Sequence, residues 1–331
     1  MIFRDTFCPW GEINWILDKL PKAQWDLLAC LSTEERCLAT FKELQNRASI
    51  SSALFYEIVD PVDTTEHQRL RLANRVSINN SGITSNFETH LLLEPLSNIV
   101  ESIHALIEKS SDNIIIDISS FPKRFFFPIV KFILRLSKPK NIIITYSAPE
   151  KYTNENLSEN PQSWFNIPSF KAEDDDVDVA IVGVGFMPLG LPDFLNNDNH
   201  PNLKVSLLLP FPPGPPAYQR TWNFVKEISE NRTIDPQALI RLDAVGVPEI
   251  FERICAITNY GSKKVLFAPY GPKPISLAMC LYACQTDSSV YYTQPTSYHP
   301  VYCEGVSQTF AYCIRLENRN LFKIESNDGN S

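Results

Sequence analysis

The stretch that decides the fold runs from Ile114 to Tyr146 and reads IIIDISSFPKRFFFPIVKFILRLSKPKNIIITY. It begins and ends with runs rich in β-branched residues, Ile114–Ile118 and Asn141–Tyr146. Between them, Pro122–Leu136 has the length and the apolar spacing of a helix. Continuous apolar strands, unlike alternating ones, are covered on both faces of a sheet. The stretch therefore predicts two parallel strands joined by a helix.

The same strand–helix unit recurs towards the C-terminus. The further strands that we predict are Val177–Val184, Lys204–Leu209, Val265–Ala268 and Val290–Thr293, with Thr309–Leu316 as an added edge strand. The helices predicted between them are Arg220–Ser229, Pro248–Thr258 and Pro274–Cys284. Such alternation predicts an α/β protein with a Rossmann-like, mostly parallel, doubly wound sheet.

The N-terminal part has a different pattern, with apolar residues three and four apart that indicate helices. These predicted helices are Ile13–Leu20, Ala23–Leu31 and Thr33–Gln45. A strand follows at Ala53–Val59. We therefore expect a helical segment over residues 1–50, a Rossmann-like α/β domain over residues 51–320 and a polar tail over residues 321–331.

Composition and charge narrow the class of protein. The 331 residues include 25 Pro, 11 Gly and 44% hydrophobic residues, enough apolar material for a core and too much for a disordered chain. A net charge of -8 argues against general DNA binding, which needs an excess of Lys and Arg. The eight Cys show no zinc spacing, so we expect no metal and no cofactor. We find no secretory signal and no membrane segment, and expect a cytoplasmic protein.

Candidate site residues follow the predicted strands, where doubly wound sheets bind their ligands. After the first strand come Asp117, Ser119, Ser120, Lys123 and Arg124, which suit an anion at a helix start. Ordinary helix capping and a solvated basic pair are the alternative. Tyr146 ends the next strand in a hydroxyl-rich segment.

The third and fourth strands lead into unusual loops. Gly185 lies in GVGFMPLG (183–190), which is not a dinucleotide fingerprint because the third Gly comes five residues after the second. It suits close backbone approach to a ligand or a neighbouring helix. The proline-rich loop over residues 210–216 predicts a rigid wall that places Tyr218 and Arg220 over a pocket. Arg220 then clamps a phosphate or carboxylate, or forms a surface ion pair.

The last two loops carry the strongest candidates for ligand contact. Gly271 permits a special backbone angle, and Lys273 stands at a helix N-terminus, where anion contact explains a cation. The following loop combines amide, hydroxyl, aromatic and imidazole groups, which suit a polar ligand with a ring: Gln294, Thr296, Tyr298 and His299. His299 is placed for acid–base work, and a merely hydrogen-bonded histidine is the alternative.

Two of these motifs resemble those of CARF-type Rossmann domains: the strand end Asp117-Ile118-Ser119-Ser120 and the turn Gly271-Pro272-Lys273 before an apolar helix. The resemblance implies a homodimer that binds a cyclic or linear oligonucleotide signal, as such domains do in bacterial antiviral defence.

Three hypotheses about function follow. The first is a nucleotide- or phosphate-binding sensor subunit, whose partner is a phosphorylated small molecule or an oligonucleotide signal. The second is an enzyme of glycosyl or phosphoryl transfer or hydrolysis, with Asp117 as base or nucleophile and His299 as acid. The third is a scaffold subunit whose residues 1–50 dock a partner protein.

Overall fold

The computed structural model describes residues 8–153, 158–173, 176–185, 202–211, 217–231 and 233–325. The chain divides into two compact units. Unit 1 is Met1–Asn160 with Pro295–Leu321, and unit 2 is Pro161–Gln294 with Phe322–Ser331. The larger part of unit 2, Pro161–Gln294, is thus inserted in the sequence of unit 1, and each unit has a sheet of parallel strands of its own.

The sheet of unit 1 is built on five parallel strands: β2 (Trp25–Leu31), β3 (Ile50–Val59), β4 (Ser85–Leu91), β5 (Asn113–Asp117) and β6 (Asn141–Ala148). They lie in the order β6-β5-β2-β3-β4. Antiparallel strands extend the β6 side: β17 (Gln308–Leu316) pairs with β6, and β1 (Trp10–Glu12) and β18 (Arg319–Asn320) pair with β17. Two short pairs, β7 (Lys151–Tyr152) with β16 (Cys303–Glu304) and β8 (Ser158–Pro161) with β15 (Pro295–Tyr298), stand apart from this sheet.

In the described part of unit 1, five helices connect these strands: α1 (Ile13–Lys19), α2 (Ala39–Asn46), α3 (Thr65–Asn79), α4 (Leu96–Lys109) and α5 (Lys123–Arg135). A 3-10 turn, Glu35–Leu38, precedes α2. The apolar run Ile114–Ile116 of β5 is fully buried because the sheet is covered on both faces. Arg315 of β17 ties the strand to α5, since its guanidinium donates to the carbonyls of Leu134 at 2.6 Å and Leu136 at 2.7 Å.

The sheet of unit 2 is built in the same way from β10 (Val179–Gly183), β11 (Lys204–Phe211), β12 (Leu239–Asp243), β13 (Val265–Pro269) and β14 (Ser289–Tyr292). Their order is β12-β11-β10-β13-β14, and all four pairings are parallel. A short strand, β9 (Phe165–Asn166), joins β14 antiparallel. The helices among the described residues of unit 2 are α6 (Ala217–Asn231), α7 (Val247–Ile257) and α8 (Lys273–Ala283), with a 3-10 turn at Pro236–Ala238.

The two units share one strand order. Numbered along the chain within each unit, the parallel strands lie 3-2-1-4-5 in both sheets. This is the Rossmann-like order, with the topological switch point between the first and the fourth strand. The predicted α/β class with doubly wound parallel strands is therefore confirmed, in two copies. The predicted single Rossmann-like domain over residues 51–320 differs from this division, because apolar periodicity finds strands without assigning them to sheets.

The helical segment expected over residues 1–50 differs most from the structure. The predicted helix Ala23–Leu31 is wrong: its residues form the central strand β2, which is buried at every position. A short apolar run such as WDLLACL fits a buried strand as well as a helix, and sheet pairing on both sides decided the outcome. Residues 1–50 therefore supply the first strand of a Rossmann-like sheet.

Smaller differences lie at the edges of the sheets. Strand β4 escaped prediction because the sequence SNFETHL of this sheet edge is polar and largely exposed. The predicted edge strand at 309–316 is β17, but β1 lies outside it. The expected polar tail over residues 321–331 includes Phe322, which is 4% exposed and packs on Phe251 with ring centroids 5.3 Å apart.

Candidate functional site

The switch point of unit 1 lies between the carboxyl ends of β2 and β5. There the buried Asp117 accepts hydrogen bonds through Oδ1 from the backbone N–H of Ser119, at 2.8 Å, and from its hydroxyl. The Ser119 hydroxyl also accepts from the backbone N–H of Ser147 at 2.7 Å. The alternative of ordinary helix capping is not what Ser119 and Ser120 do, because Pro122 holds the N-cap position and no side chain caps α5. Asp117 and Ser119 therefore join the ends of β5 and β6.

A buried ion pair follows β2 at the same edge. Arg36 is 4% exposed, and its Nε donates to Oε2 of Glu34. Its Nη1 lies 3.5 Å from the carbonyl oxygen of Ser147. The same Glu34 oxygen accepts from Sγ of Cys303 at 2.9 Å. Glu34 thus binds both the cation that follows β2 and a thiol of β16.

Three tyrosine rings lie near this ion pair. The guanidinium of Arg36 lies 6.0 Å from the ring centroid of Tyr146, and the rings of Tyr152 and Tyr302 are 6.1 Å apart. Burial would lower the pKa of Arg36, but the Glu34 carboxylate and the neighbouring Tyr and Cys groups raise it well above the ordinary value. Burial raises the pKa values of Tyr152 and Tyr302. These phenols stay protonated and Arg36 stays charged.

The structure places the other candidates of unit 1 around this edge. The Ser120 hydroxyl is buried and has no hydrogen-bond partner among the described residues. Lys123 is 8% exposed at the start of α5, and Arg124 donates to the carbonyl of Glu94 at 3.1 Å. Burial lowers the pKa of Arg124. These side chains form part of the buried structure of the unit.

The segment Pro295–Glu304 carries the remaining candidates of unit 1. The Thr296 hydroxyl donates to the carbonyl of Asn160 at 2.8 Å, and the Tyr298 carbonyl lies 2.9 Å from Nε2 of His67. Nδ1 of His299 lies 2.9 Å from the carbonyl oxygen of Val301, within its own turn. His299 and Asp117 thus have different hydrogen-bond partners, and their predicted joint catalytic role stays a prediction.

Sequence reasoning missed an ionic cluster at the end of β3. Arg71 donates to both carboxylate oxygens of Asp63, at 2.9 and 2.6 Å, and lies 3.4 Å from Glu57. Asp60 lies in the same loop, and burial raises its pKa to about 6 although Arg71 opposes the shift. Arg71 stands on a helix without a clear apolar stripe, which gave no signal of a buried charge.

Glycine backbone fills the switch point of unit 2. A Cβ at Gly185 would lie 2.2 Å from the Tyr270 carbonyl oxygen, and one at Gly271 would lie 3.1 Å from the Val184 carbonyl oxygen. A Cβ at Gly183 would meet Met279 at 3.2 Å. The loops that follow β10 and β13 therefore touch backbone to backbone. The predicted close approach at Gly185 is to Tyr270 of the neighbouring loop.

Helix α8 begins directly after this contact. Pro272 precedes it, Lys273 is its first residue, and Ser276 donates to the Pro272 carbonyl at 3.2 Å. Two rings stand beside the loop, with the centroids of Tyr270 and Tyr292 5.8 Å apart. The Tyr270 hydroxyl lies 3.0 Å from that of Thr293. A half-buried lysine, a helix start and aromatic rings thus share one edge of unit 2.

The remaining candidates of unit 2 lie on α6 and after β14. Arg220 is half-buried in the first turn of α6, and Gln294 is fully buried. Next to Arg220, Thr221 is 3% exposed, and its Oγ1 has no hydrogen-bond partner among the described residues. The Tyr218 side chain and the predicted proline wall over residues 212–216 lie outside the described residues.

The predicted site residues therefore belong to two units. Asp117, Ser119, Ser120, Lys123, Arg124, Tyr146, Thr296, Tyr298 and His299 belong to unit 1, and Gly185, Tyr218, Arg220, Gly271, Lys273 and Gln294 belong to unit 2. Across the described ranges, no group of three or more His, Cys, Asp or Glu side chains is arranged to hold a metal ion. No helix in the described part of the chain has both the length and the apolar character needed to cross a membrane.

Comparison with known proteins adds likenesses of structure only, since no family model and no curated protein matches the chain. A universal stress protein from Pseudomonas aeruginosa UCBPP-PA14 is 11% identical with a TM-score of 0.24, covering 83% of this chain and 95% of its own. A protein of unknown function from Pseudomonas aeruginosa PAO1 is 10% identical, with a TM-score of 0.24 and coverage of 83% and 94%. The cytoplasmic domain of a prokaryotic cation chloride cotransporter is 14% identical, with a TM-score of 0.27 and coverage of 82% and 96%. These figures carry no argument about ligand or activity.

Proposed function

We propose that the chain binds a phosphorylated ligand of the nucleotide class at the switch point of unit 2. The observation that carries the proposal is a lysine that opens the helix after the fourth strand in both units, Lys123 on α5 and Lys273 on α8. A proline precedes each lysine, and neither helix has an acidic residue in its first turn. A cation opposes the positive end of a helix dipole, whereas a bound anion interacts favourably with both.

Three features favour unit 2 as the position of the ligand. Lys273 is half-buried and within reach of a ligand, whereas Lys123 is only 8% exposed. The rings of Tyr270 and Tyr292 offer a surface on which a base can stack. The buried Thr221 hydroxyl, without a hydrogen-bond partner among the described residues, supplies a donor and an acceptor.

Thr221 belongs to the same edge through the packing of α6. It lies one turn before Phe224, so both residues face the same side of the helix. The Phe224 ring packs on that of Tyr270 with centroids 5.7 Å apart. Thr221 therefore lies nearer the N-terminus of α6 than the contact between Phe224 and Tyr270. The glycine contact between the loops holds the edge in place before a ligand arrives.

Isothermal titration with ATP, AMP, adenosine and a cyclic oligoadenylate tests this proposal. We expect at least one phosphorylated compound to bind and adenosine to bind much more weakly. Lys273→Met should weaken that binding about tenfold or more, because it removes a charge-assisted hydrogen bond. Lys226→Met, on the exposed face of α6, is the matched control and should leave the affinity unchanged. Equal affinities of the wild type and Lys273→Met would contradict the proposal.

We extend this proposal to a cytoplasmic sensor subunit of bacterial antiviral defence, acting as a homodimer or with a partner protein that contacts residues 1–50. The extension rests on the CARF-like motifs at Asp117–Ser120 and Gly271–Lys273, and it makes an oligonucleotide signal the ligand. Light scattering of the purified chain measures the dimer, and the cyclic oligoadenylate arm of the titration measures the signal. If the chain is a monomer and does not bind the oligonucleotide, the extension is wrong and only the proposal of nucleotide binding remains.

The enzymatic alternative, glycosyl or phosphoryl transfer or hydrolysis, is the weaker proposal. A general base must reach the proton that it removes. Asp117 is 2% exposed, and its Oδ1 already accepts two hydrogen bonds from Ser119. Turnover that survives Asp117→Asn would remove this alternative.

A further inference from the structure

We propose that Arg36 of unit 1 binds the phosphoryl group of a small ligand that carries a planar ring, and that the Glu34 carboxylate takes this place when no ligand is bound. This is a second site, separate in the chain from the one proposed in unit 2. Arg36 follows β2, and β2 and β5 define the switch point of unit 1.

The hydrogen-bond donors of Arg36 point to an oxyanion. A guanidinium has five N–H donors in a planar fork that matches the oxygens of a phosphoryl group. Nε of Arg36 donates to Glu34, and Nη1 lies 3.5 Å from the Ser147 carbonyl oxygen. Nη2 has no hydrogen-bond partner among the described residues, although the side chain is only 5% exposed. A buried guanidinium whose fork is only partly used retains N–H donors for a second oxygen acceptor.

In the structure, the Glu34 carboxylate occupies the position beside Arg36 that the phosphoryl group of a ligand would take. It presents one oxygen, Oε2, both to Arg36 and to the thiol of Cys303. An incoming phosphoryl group is negatively charged and must displace the Glu34 carboxylate, because two anions beside one guanidinium repel each other. The Asp117 carboxylate at the same edge adds to this repulsion. The charge of Arg36 stays balanced throughout, so neither state leaves a buried cation alone.

The surrounding rings decide the class of ligand. The ring centroid of Tyr146 lies 6.0 Å from the guanidinium, and Tyr152 and Tyr302 lie close enough to interact with it electrostatically. Aromatic faces next to a buried cation favour a ligand that has a ring near its anionic group. A nucleoside monophosphate fits this combination, and AMP is a suitable probe.

Displacement of Glu34 has a measurable consequence at Cys303. This thiol is 6% exposed and donates to the carboxylate that has to move. The same segment is held at its other end by His67, whose Nε2 lies 2.9 Å from the Tyr298 carbonyl oxygen. When the bond to Glu34 is lost, we expect Cys303 to become more accessible while Tyr298 stays in place.

The first experiment measures the rate at which maleimide modifies Cys303 in the full chain, read as the modified peptide by mass spectrometry. AMP should increase this rate, and adenosine or sodium chloride at equal ionic strength should not. Inorganic phosphate that acts like AMP supports a site that recognises the phosphoryl group alone. An effect of AMP without one of phosphate supports the contribution of the rings. Equal rates with and without AMP, or an equal effect of adenosine, would overturn the proposal.

The second experiment measures AMP affinity by calorimetry in a Lys273→Met background, which separates this site from the one in unit 2. Glu34→Gln should tighten AMP binding about tenfold, because an internal competitor lowers the apparent affinity by the fraction of time that it occupies the site. Arg36→Lys should weaken it, since lysine lacks the planar fork. Glu34→Gln that binds no tighter than its parent overturns the proposal. The Cys303 measurement on the wild type decides the matter even if Arg36→Lys does not fold.

Discussion

The carboxyl ends of the first and fourth strands meet in both units, but side chains fill this place in unit 1 and backbone fills it in unit 2. In unit 1 it holds Arg36, Glu34 and Asp117, all buried or nearly so. In unit 2 the loops touch at Gly185 and Gly271. The same strand order therefore carries charged side chains at its switch point in one unit and glycine backbone in the other. The loops after the strands determine which residues can contact a ligand. The stability of unit 1 should depend on charge, and that of unit 2 on steric fit.

The largest effect should come from Arg36→Met, which leaves the Glu34 carboxylate buried without its cation. Removing one partner of a buried ion pair costs about 3–5 kcal/mol of unfolding free energy. Urea denaturation measures this loss, and Glu34→Gln combined with Arg36→Met should restore most of it. Arg69→Met is the control, because Arg69 pairs with Glu66 on the surface of α3, and its loss should change the stability far less. Equal costs at the two arginines would show that the switch point of unit 1 does not depend on charge.

The steric character of unit 2 is tested by Gly185→Ala. The added methyl would lie 2.2 Å from the Tyr270 carbonyl oxygen, so the loops must separate. Overpacking of this kind costs about 3 kcal/mol. Gly246→Ala is the control in the same unit, because its nearest contact would be an ordinary 3.5 Å. If urea denaturation gives both variants the same stability, the backbone contact is not what closes this edge.

The charge of unit 1 also predicts a dependence on pH through Asp60. Burial raises the pKa of Asp60 to about 6 in the folded chain, so the folded state holds this proton more tightly than the unfolded state. Stability from this residue is therefore present at pH 4 and falls as the pH rises through about 6. Asp60→Asn should be more stable than the wild type by about 1–2 kcal/mol at pH 8 and no more stable at pH 4.

Asp63 lies in the same loop, and its contribution to stability should change with pH in the opposite direction to that of Asp60. Its hydrogen bonds from Arg71 lower its pKa although burial opposes them, so its contribution is present at neutral pH and is lost as the pH falls. Asp63→Asn should therefore destabilise the protein at pH 7 and lose this effect in acid. Thermal unfolding across the pH range measures both variants. Two variants that respond in the same direction would refute the assignment.

The smallest effect concerns a thiol beside the switch point of unit 1. Burial raises the pKa of Cys37 to about 12, and its Sγ lies 3.8 Å from the Ser32 carbonyl oxygen. We expect native Cys37 to react with iodoacetamide at pH 8 at least about a hundredfold more slowly than an ordinary exposed thiol. Cys284 of unit 2, which is half-buried, should react faster. Peptide mass spectrometry measures the two rates, and a rapid reaction at Cys37 would contradict the tight packing inferred there.

Much of the fold could be predicted because buried parallel strands have a plain signature. Ile114–Ile118 and Asn141–Tyr146 correspond to β5 and β6, and Val265–Ala268 to β13. The strand Trp25–Leu31 was missed because an apolar run of seven residues is ambiguous, and β4 because an exposed edge strand is polar. The division into units had no signal in the sequence, since no low-complexity linker marks any of the three junctions.

The candidate site could be predicted only as a set of loops. Strand ends such as Asp117 and Lys273 follow from the positions of the strands, but the pattern does not say which strands share a sheet. Residues of two edges were therefore combined into one site. Arg36 was missed because the pattern of Thr33–Gln45 predicts a helix and does not show which of its charged residues is buried, whereas in the structure a 3-10 turn buries Arg36 near Ser147. A buried charge of this kind depends on distant residues that periodicity does not reveal.

The position of β17 has a consequence for the synthesis of the protein. A ribosome completes every strand of unit 2 before it reaches residues 308–316, which belong between β1 and β6 of unit 1. Until then β6 is an unpaired edge strand of the nascent unit 1, and β1 has no strand to pair with. The carbonyls at the end of α5 also lack their hydrogen bonds from Arg315. The sheet that is started first is thus the sheet that is completed last. Premature termination within residues 295–316 would release a chain with an unpaired, aggregation-prone edge strand. Such a chain would be a substrate for chaperones and proteases.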